Sequence, residues 1–222
     1  SAKIDEYYVD DEGKMVTNAW VELKNEEDPD SPETPDTFWY YFEKDGKSAV
    51  SKWVKFDSKW YYFDESGHMA TGKTEIDGAT YYLGTEKDGF MRTGWIRLEE
   101  NSHAPGASES WYYFNSDGKM VTTQYDKKID GSYYTFIDGK MQTGWLLYNN
   151  TWYYLSESGA MVTGWITLGD KAYYLGGDGG MLTGWQNIDG QIYYLYPDGH
   201  KAVNEVIDTF YLDQDGIWRK PQ

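Results

Sequence analysis

Residues Thr143 to Trp185 read TGWLLYNNTWYYLSESGAMVTGWITLGDKAYYLGGDGGMLTGW, and the Gly-Trp pair returns at Trp145, Trp165 and Trp185, 20 residues apart. Each copy runs Gly-Trp, a short apolar run, a polar turn, a Tyr-Tyr segment, a Gly turn and a Met. A chain that repeats itself at this period builds one small supersecondary unit many times over. Such a unit cannot bury its apolar face alone and does so only against its neighbours.

The pattern extends over nearly the whole chain. Aligned on the aromatic pair there are ten copies: Tyr7-Tyr8, Tyr40-Tyr41, Tyr61-Tyr62, Tyr81-Tyr82, Tyr112-Tyr113, Tyr133-Tyr134, Tyr153-Tyr154, Tyr173-Tyr174, Tyr193-Tyr194 and the variant Phe210-Tyr211. Most successive pairs lie 20 or 21 residues apart, and a Gly turn follows almost every one. In seven copies a Met stands two residues after that Gly: Met15, Met69, Met91, Met120, Met141, Met161 and Met181.

Within a copy, two short runs flank Asn149-Asn150, Gly169-Asp170, Asp189-Gly190, Asp77-Gly78 or Asp130-Gly131. These dipeptides accept the positive φ of a two-residue hairpin turn, so each copy reads as strand, turn, strand. No stretch sustains a 3.6-residue period, so no helix is expected. The predicted fold is all-β, a β-hairpin solenoid forming a single repeat domain over residues 1–222. Two insertions, at about 24–37 and 97–110, lengthen hairpin loops. The first is acidic and proline-rich, a composition that predicts a solvated loop. The first and last copies are atypical, as end caps of a stack are.

Composition narrows the function. Aromatic residues make up 18% of the 222, including 22 Tyr and 11 Trp, so apolar surface resides in rings that are half buried and half presented. A net charge of −17 argues against nucleic acid and against an anionic membrane surface. There is no cysteine, hence neither disulfide nor thiolate chemistry. No apolar stretch approaches the roughly 18 residues of a membrane span, so no membrane insertion is expected. Ser1-Ala2 opens without a basic or apolar leader, which reads as a mature fragment whose targeting signal lies outside it.

Enzymatic chemistry finds no foothold. His68, His103 and His200 fall at turns or in an inserted loop, and no metal-spaced histidine pair, nucleophile elbow or phosphate loop is present. No metal site, cofactor or catalytic residue is expected.

The rings themselves suggest chemistry. Side chains alternate faces along a strand, so Trp152 and Tyr154 share one face and Tyr153 takes the other. Two Trp rings from one hairpin, with a Met and a Tyr from the next, would line a groove between copies. Electron-rich faces around an apolar gap are what a quaternary ammonium requires.

The recurrence of Gly-Trp, Trp-Tyr-Tyr and Gly-X-Met resembles the bacterial cell-wall-binding repeat superfamily, closest to the choline-binding modules of streptococcal surface proteins and lytic enzymes. Glucan-binding repeats of glucosyltransferases and the repeats of clostridial toxins share the design. The resemblance implies a hairpin solenoid that holds choline of teichoic acids in cages of two Trp, a Tyr and often a Met. Carried onto this chain, it assigns Trp145, Trp152, Met161 and Tyr174 to the clearest cage. Trp53, Trp60, Met69 and Tyr82 form a second, and Trp95, Trp111, Met120 and Tyr134 a third. Trp20, Trp39 and Tyr62 form a fourth in which Ser48 replaces Met. Ala172 and Ile192 stand in place of a second Trp, and Lys73, Gln124 and Glu205 in place of the first, so those junctions are expected to be incompetent.

The implied role is a non-catalytic module attaching a secreted Gram-positive surface protein, non-covalently, to choline-decorated teichoic acid. The alternative partner is α-glucan or another surface polysaccharide, with aromatic rings stacking on sugar faces. A host protein engaged through the inserted loops is a further possible partner.

Overall fold

The computed structural model describes residues 2–4, 6–25, 35–99 and 108–219. Among them every regular element is a strand, as the hairpin reading expects. The strands pair into ten antiparallel sheets, nine of them plain hairpins. In the tenth, Gln124–Ile129 pairs with Ser132–Ile137, which also carries the short strand Lys140–Met141. The chain divides into two compact units, Ser1–Val121 and Thr122–Gln222.

The turns follow from residue choice. Asn149 and Asn150 have φ of 47° and 64°, the mirror-image turn whose twist suits a two-residue hairpin. It sets the register of Gly144–Tyr148 on Thr151–Leu155 from Gly144↔Leu155 to Tyr148↔Thr151. The insertions leave their hairpins paired. Pairing runs out to Lys24↔Thr37 in one and Glu99↔Glu109 in the other. The first loop is closed at its base by Asn25, whose N–H donates to the Asp36 carbonyl at 2.8 Å and whose side chain donates to the Pro35 carbonyl at 3.0 Å. Residues 26–34 and 100–107, which carry the expectations of a solvated loop and a host-protein epitope, lie outside the described residues.

A column of residues runs through the core of each unit. The residue after the Tyr pair is Phe42, Phe63, Leu83 and Phe114 in the first unit, and Leu155, Leu175, Leu195 and Leu212 in the second; all are fully or almost fully buried. Burying such a side chain stabilises by about 1.5–3 kcal/mol, so this column is the main adhesive of each stack.

Within each unit, backbone hydrogen bonds tie successive hairpins together. In the first unit the amide of Met69 donates to the Trp39 carbonyl, that of Met91 to Trp60 and that of Met120 to Thr80, each at 2.8 Å. In the second, Met161 donates to Tyr133 at 2.8 Å, Met181 to Trp152 at 2.7 Å and Lys201 to Ala172 at 2.8 Å.

The Tyr133-Tyr134 copy departs from the others. Four residues, Tyr133-Tyr134-Thr135-Phe136, lead to the buried Phe136, where other copies use three. On the partner strand the register shifts between Gln124 and Lys127, so Tyr125 and Asp126 together face Thr135. Counted back from the core residue, Tyr133 takes the slot that Trp152 fills in the next copy. The acceptance of the Met161 amide by Tyr133 agrees with that count.

Candidate aromatic cages between hairpins

A cage begins with the cross-strand pairs. Trp145 lies opposite Tyr154, and Leu147 opposite Trp152, which puts both Trp rings on one face of the hairpin. Their centroids are 6.3 Å apart and the planes stand at 89°. Trp20 and Trp39 repeat this at 6.5 Å and 72°, and Trp95 and Trp111 at 6.4 Å and 85°. Perpendicular rings offer two walls of a corner, and neither ring covers the other. The outer ring of three hairpins stays accessible, at 41% for Trp60, 42% for Trp111 and 43% for Trp152. The inserted loops therefore do not prevent the pairing of Trp20 with Trp39 or of Trp95 with Trp111.

The third wall comes from the following hairpin, and it is the first Tyr of its pair. Trp145 meets Tyr173 at 5.1 Å, Trp53 meets Tyr81 at 4.9 Å and Trp20 meets Tyr61 at 4.8 Å. These contacts set Tyr173, Tyr81 and Tyr61 beside the Trp rings, where the family pattern implies Tyr174, Tyr82 and Tyr62. Strand alternation explains the difference: the second Tyr shares its face with the Trp of its own hairpin and so looks onward. Tyr174 packs on Trp165 at 5.0 Å and Tyr62 on Trp53 at 5.3 Å, while Tyr82 reaches Phe114 at 6.3 Å. Tyr134, assigned to the third cage, is half-buried on Ser132–Ile137 opposite Lys127.

The Met is likewise one copy later than expected. Trp20, Trp39, Tyr61 and Met69 line one cavity of about 160 Å³, with Lys87 and Asp88 at its edge. The Met69 to Trp39 backbone bond explains why Met69 belongs there and not with Trp53 and Trp60. By the same bond Met91 serves Trp60 and Met181 serves Trp152, whereas Met120 falls beside Thr80 and Met161 beside Tyr133. The replacement of Met by Ser48 thus does not weaken the Trp20 cage.

The ring walls of the Trp20 cage are neutral, and its lining carries one cation, Lys87, and one anion, Asp88. At the Trp20 cage, burial pushes the Tyr61 phenol above its ordinary value, so the third wall is a neutral ring at physiological pH. Asp88 at the edge is already paired with Arg92. Elsewhere the chain supplies its own ammonium. Lys201 stands where other copies have Met, and its Nζ lies 5.2 Å from the Trp165 ring and 5.8 Å from the Tyr193 ring. Lys73, in a first-Trp slot, places its Nζ 5.2 Å from the Tyr112 ring. Lys55 likewise stands 5.7 Å from Trp60.

The model of the choline-binding repeat matches residues 50–95, 127–163 and 162–205, more than half of the chain. The chain belongs to the choline-binding repeat family. A putative cell wall binding repeat also matches residues 107–120. These repeat families carry attachment to the cell surface.

Solved choline-binding proteins share the fold. CbpJ from Streptococcus pneumoniae TIGR4 is 30% identical, with a TM-score of 0.77 over 99% of this chain and 79% of that one. Choline binding protein F from Streptococcus pneumoniae is 31% identical, with a TM-score of 0.73 over 96% of this chain and 75% of that one. Among curated proteins, glucosyltransferase-S of Streptococcus mutans is 32% identical over 67% of this chain. The chain spans only 9% of that relative's length.

Proposed function

We propose that this chain is a non-catalytic attachment module that holds a secreted surface protein to choline residues of teichoic acid, through aromatic cages between successive choline-binding repeats. The observation that carries this reading is the convergence of Trp20, Trp39, Tyr61 and Met69 on one open cavity, with Lys87 and Asp88 also on its wall. Two indole faces, a phenol and a polarisable thioether match a trimethylammonium group, which is attracted to ring faces and has no proton to donate. The lysine ammonium over Trp165 and Tyr193 supports it, since a junction of this design already hosts a cation. Several weak sites on one array would add avidity against a polymer.

The test is a choline titration read by Trp fluorescence and calorimetry, in the intact chain and in Trp39→Ala and Trp152→Ala. Each substitution should remove one site and leave the others. An unchanged signal at millimolar choline would sink the proposal.

A second reading, recognition of α-glucan, is favoured by the match to glucosyltransferase-S and by the presented rings of Trp165 and Trp185, which lack a second Trp. A dextran titration under the same conditions discriminates: heat and quenching with dextran but not choline would establish it instead.

A further inference from the structure

A second cavity lies at a junction with no Trp. It measures about 370 Å³, more than twice the Trp20 cage, and its lining includes Tyr125, Asp126, Tyr133, Tyr153, Met161 and Asp178. The slots follow from the shifted register: Tyr125 and Tyr133 replace the two Trp rings, Tyr153 is the first Tyr of the next pair, and Met161 is the thioether. The repeat pattern alone marks this junction as incompetent, because Gln124 stands where the first Trp is expected.

The bulge decides the chemistry. In a regular strand, neighbours face opposite sides, but a bulge re-aims one of them. Here Tyr125 and Asp126 both face Thr135 and both line the cavity. The arrangement is held in place. The Thr135 hydroxyl, almost fully buried, donates to the Tyr125 carbonyl at 2.7 Å. The Tyr125 ring stacks on Tyr148 at 4.1 Å and 14°. Asp178 enters from the following link, where one carboxylate oxygen accepts the Gly180 amide at 3.0 Å. Lys128 holds its Nζ 5.5 Å from the Tyr133 ring but is not among the residues lining the cavity, so the pocket's own charges are Asp126 and Asp178.

Two carboxylates lining an aromatic cage, both open to solvent, change its preference. A quaternary ammonium offers no N–H, so it meets such a carboxylate only by a solvent-screened charge attraction. An ammonium that keeps one or more N–H groups forms a charge-assisted bond to the same oxygen. Phenol faces attract cations less than indole faces do, so the carboxylates weigh more here. The larger volume leaves room for the N–H to reach them.

We infer that the Tyr125–Tyr133–Tyr153 pocket is a second kind of cation site, selective for an alkylammonium carrying N–H over a fully methylated one. It rests on the reading of these junctions as cation cages, and extends it to a different ligand class.

The test uses the whole chain, with backbone amide shifts at Tyr125, Asp126, Tyr153 and Asp178 reporting this pocket and Trp fluorescence reporting the others. The probes are 2-aminoethanol, N,N-dimethylaminoethanol and choline at neutral pH. The first two should titrate the pocket about threefold more tightly than choline, the size of one solvent-exposed ion pair with its hydrogen bond. Asp126→Asn with Asp178→Asn should abolish that preference and leave the fluorescence response to choline unchanged. Should the pair fail to fold, Asp126→Asn alone, at an exposed position, should reduce it. Equal or tighter choline binding at these amides, shifts with a dextran oligosaccharide but not with amines, or no shift with any probe would overturn the inference. Loss of the fluorescence response to choline in the unaltered chain would instead strike the Trp cages.

Discussion

The amide of Met181 donates to the carbonyl of Trp152 at 2.7 Å, although the two residues belong to different hairpins. This bond fixes which thioether serves which pair of rings. Met181→Ala should therefore weaken choline at the Trp145–Trp152 site about fivefold, in the range of a sulfur–aromatic contact of about 1 kcal/mol. Met161→Ala should leave that site unchanged, although Met161 follows Trp152 more closely in sequence. Site-resolved choline titration of the two variants checks the assignment. A larger effect from Met161 would reverse it.

Gly179 shows how tightly successive copies interlock. Its φ is +84°, and a Cβ placed there would strike the sulfur of Met161. The same relation joins Gly199 to Met181. Gly179→Ala should destabilise by about 2 kcal/mol, with about 1–2 from the left-handed backbone and the rest from displacing a flexible side chain. Adding Met161→Ala should recover only the steric part. Chemical denaturation of the two variants and the double variant separates the two, because the backbone cost persists when the sulfur is gone.

These two contacts also show what a linear reading can reach. The hairpins were legible because the turns need residues such as Asn149-Asn150, and the paired Trp rings because both flank such a turn. The cage partners from neighbouring copies were not, since nothing local states which hairpin a side chain will face. For the tyrosines the signal existed: Trp152 and Tyr154 share a face, so by alternation the inter-hairpin wall had to be a first Tyr. For the methionines it did not, because their placement depends on the backbone bond between copies. The tyrosine pocket was hidden by a false match. Tyr133-Tyr134 looks like every other pair, and only the extra Thr135 before Phe136 reveals the shift.

Acid should loosen the last copy first. The Asp213 carboxylate accepts the Ile217 and Asp215 amides at 2.9 Å each and the Arg219 Nε at 2.7 Å. The Ile217 amide and the Arg219 guanidinium hold its pKa below the ordinary value. A folded-state pKa below the unfolded one gives stability that is complete above about pH 4 and lost as pH falls through the folded value. Asp213→Asn should lower the melting temperature by a constant amount between about pH 5 and 7, and the difference should shrink as pH drops below about 4. A difference that widens on acidification would show that the carboxylate is not stabilising.

The junction at Trp165, expected to be incompetent, offers the strongest check on what makes a cage. Two of its parts are in place, since Trp165 contacts Tyr193 at 5.0 Å, while Lys201 replaces the thioether and holds its ammonium over both rings. What is missing is the second indole, since Ala172 stands opposite Thr167 where Trp152 stands opposite Leu147. Ala172→Trp alone should add little choline binding, because the lysine already occupies the ring faces and repels a second cation. Lys201→Met alone should free the faces but leave a corner with one indole wall. The two together should create one additional site of affinity similar to Trp145–Trp152, raising the calorimetric stoichiometry by one. Lys201 also donates to the Asp215 carbonyl at 2.7 Å, so its replacement should cost about 1 kcal/mol of stability, which thermal unfolding will register separately from binding. If Ala172→Trp alone produced the full new site, the lysine would not be acting as a resident cation.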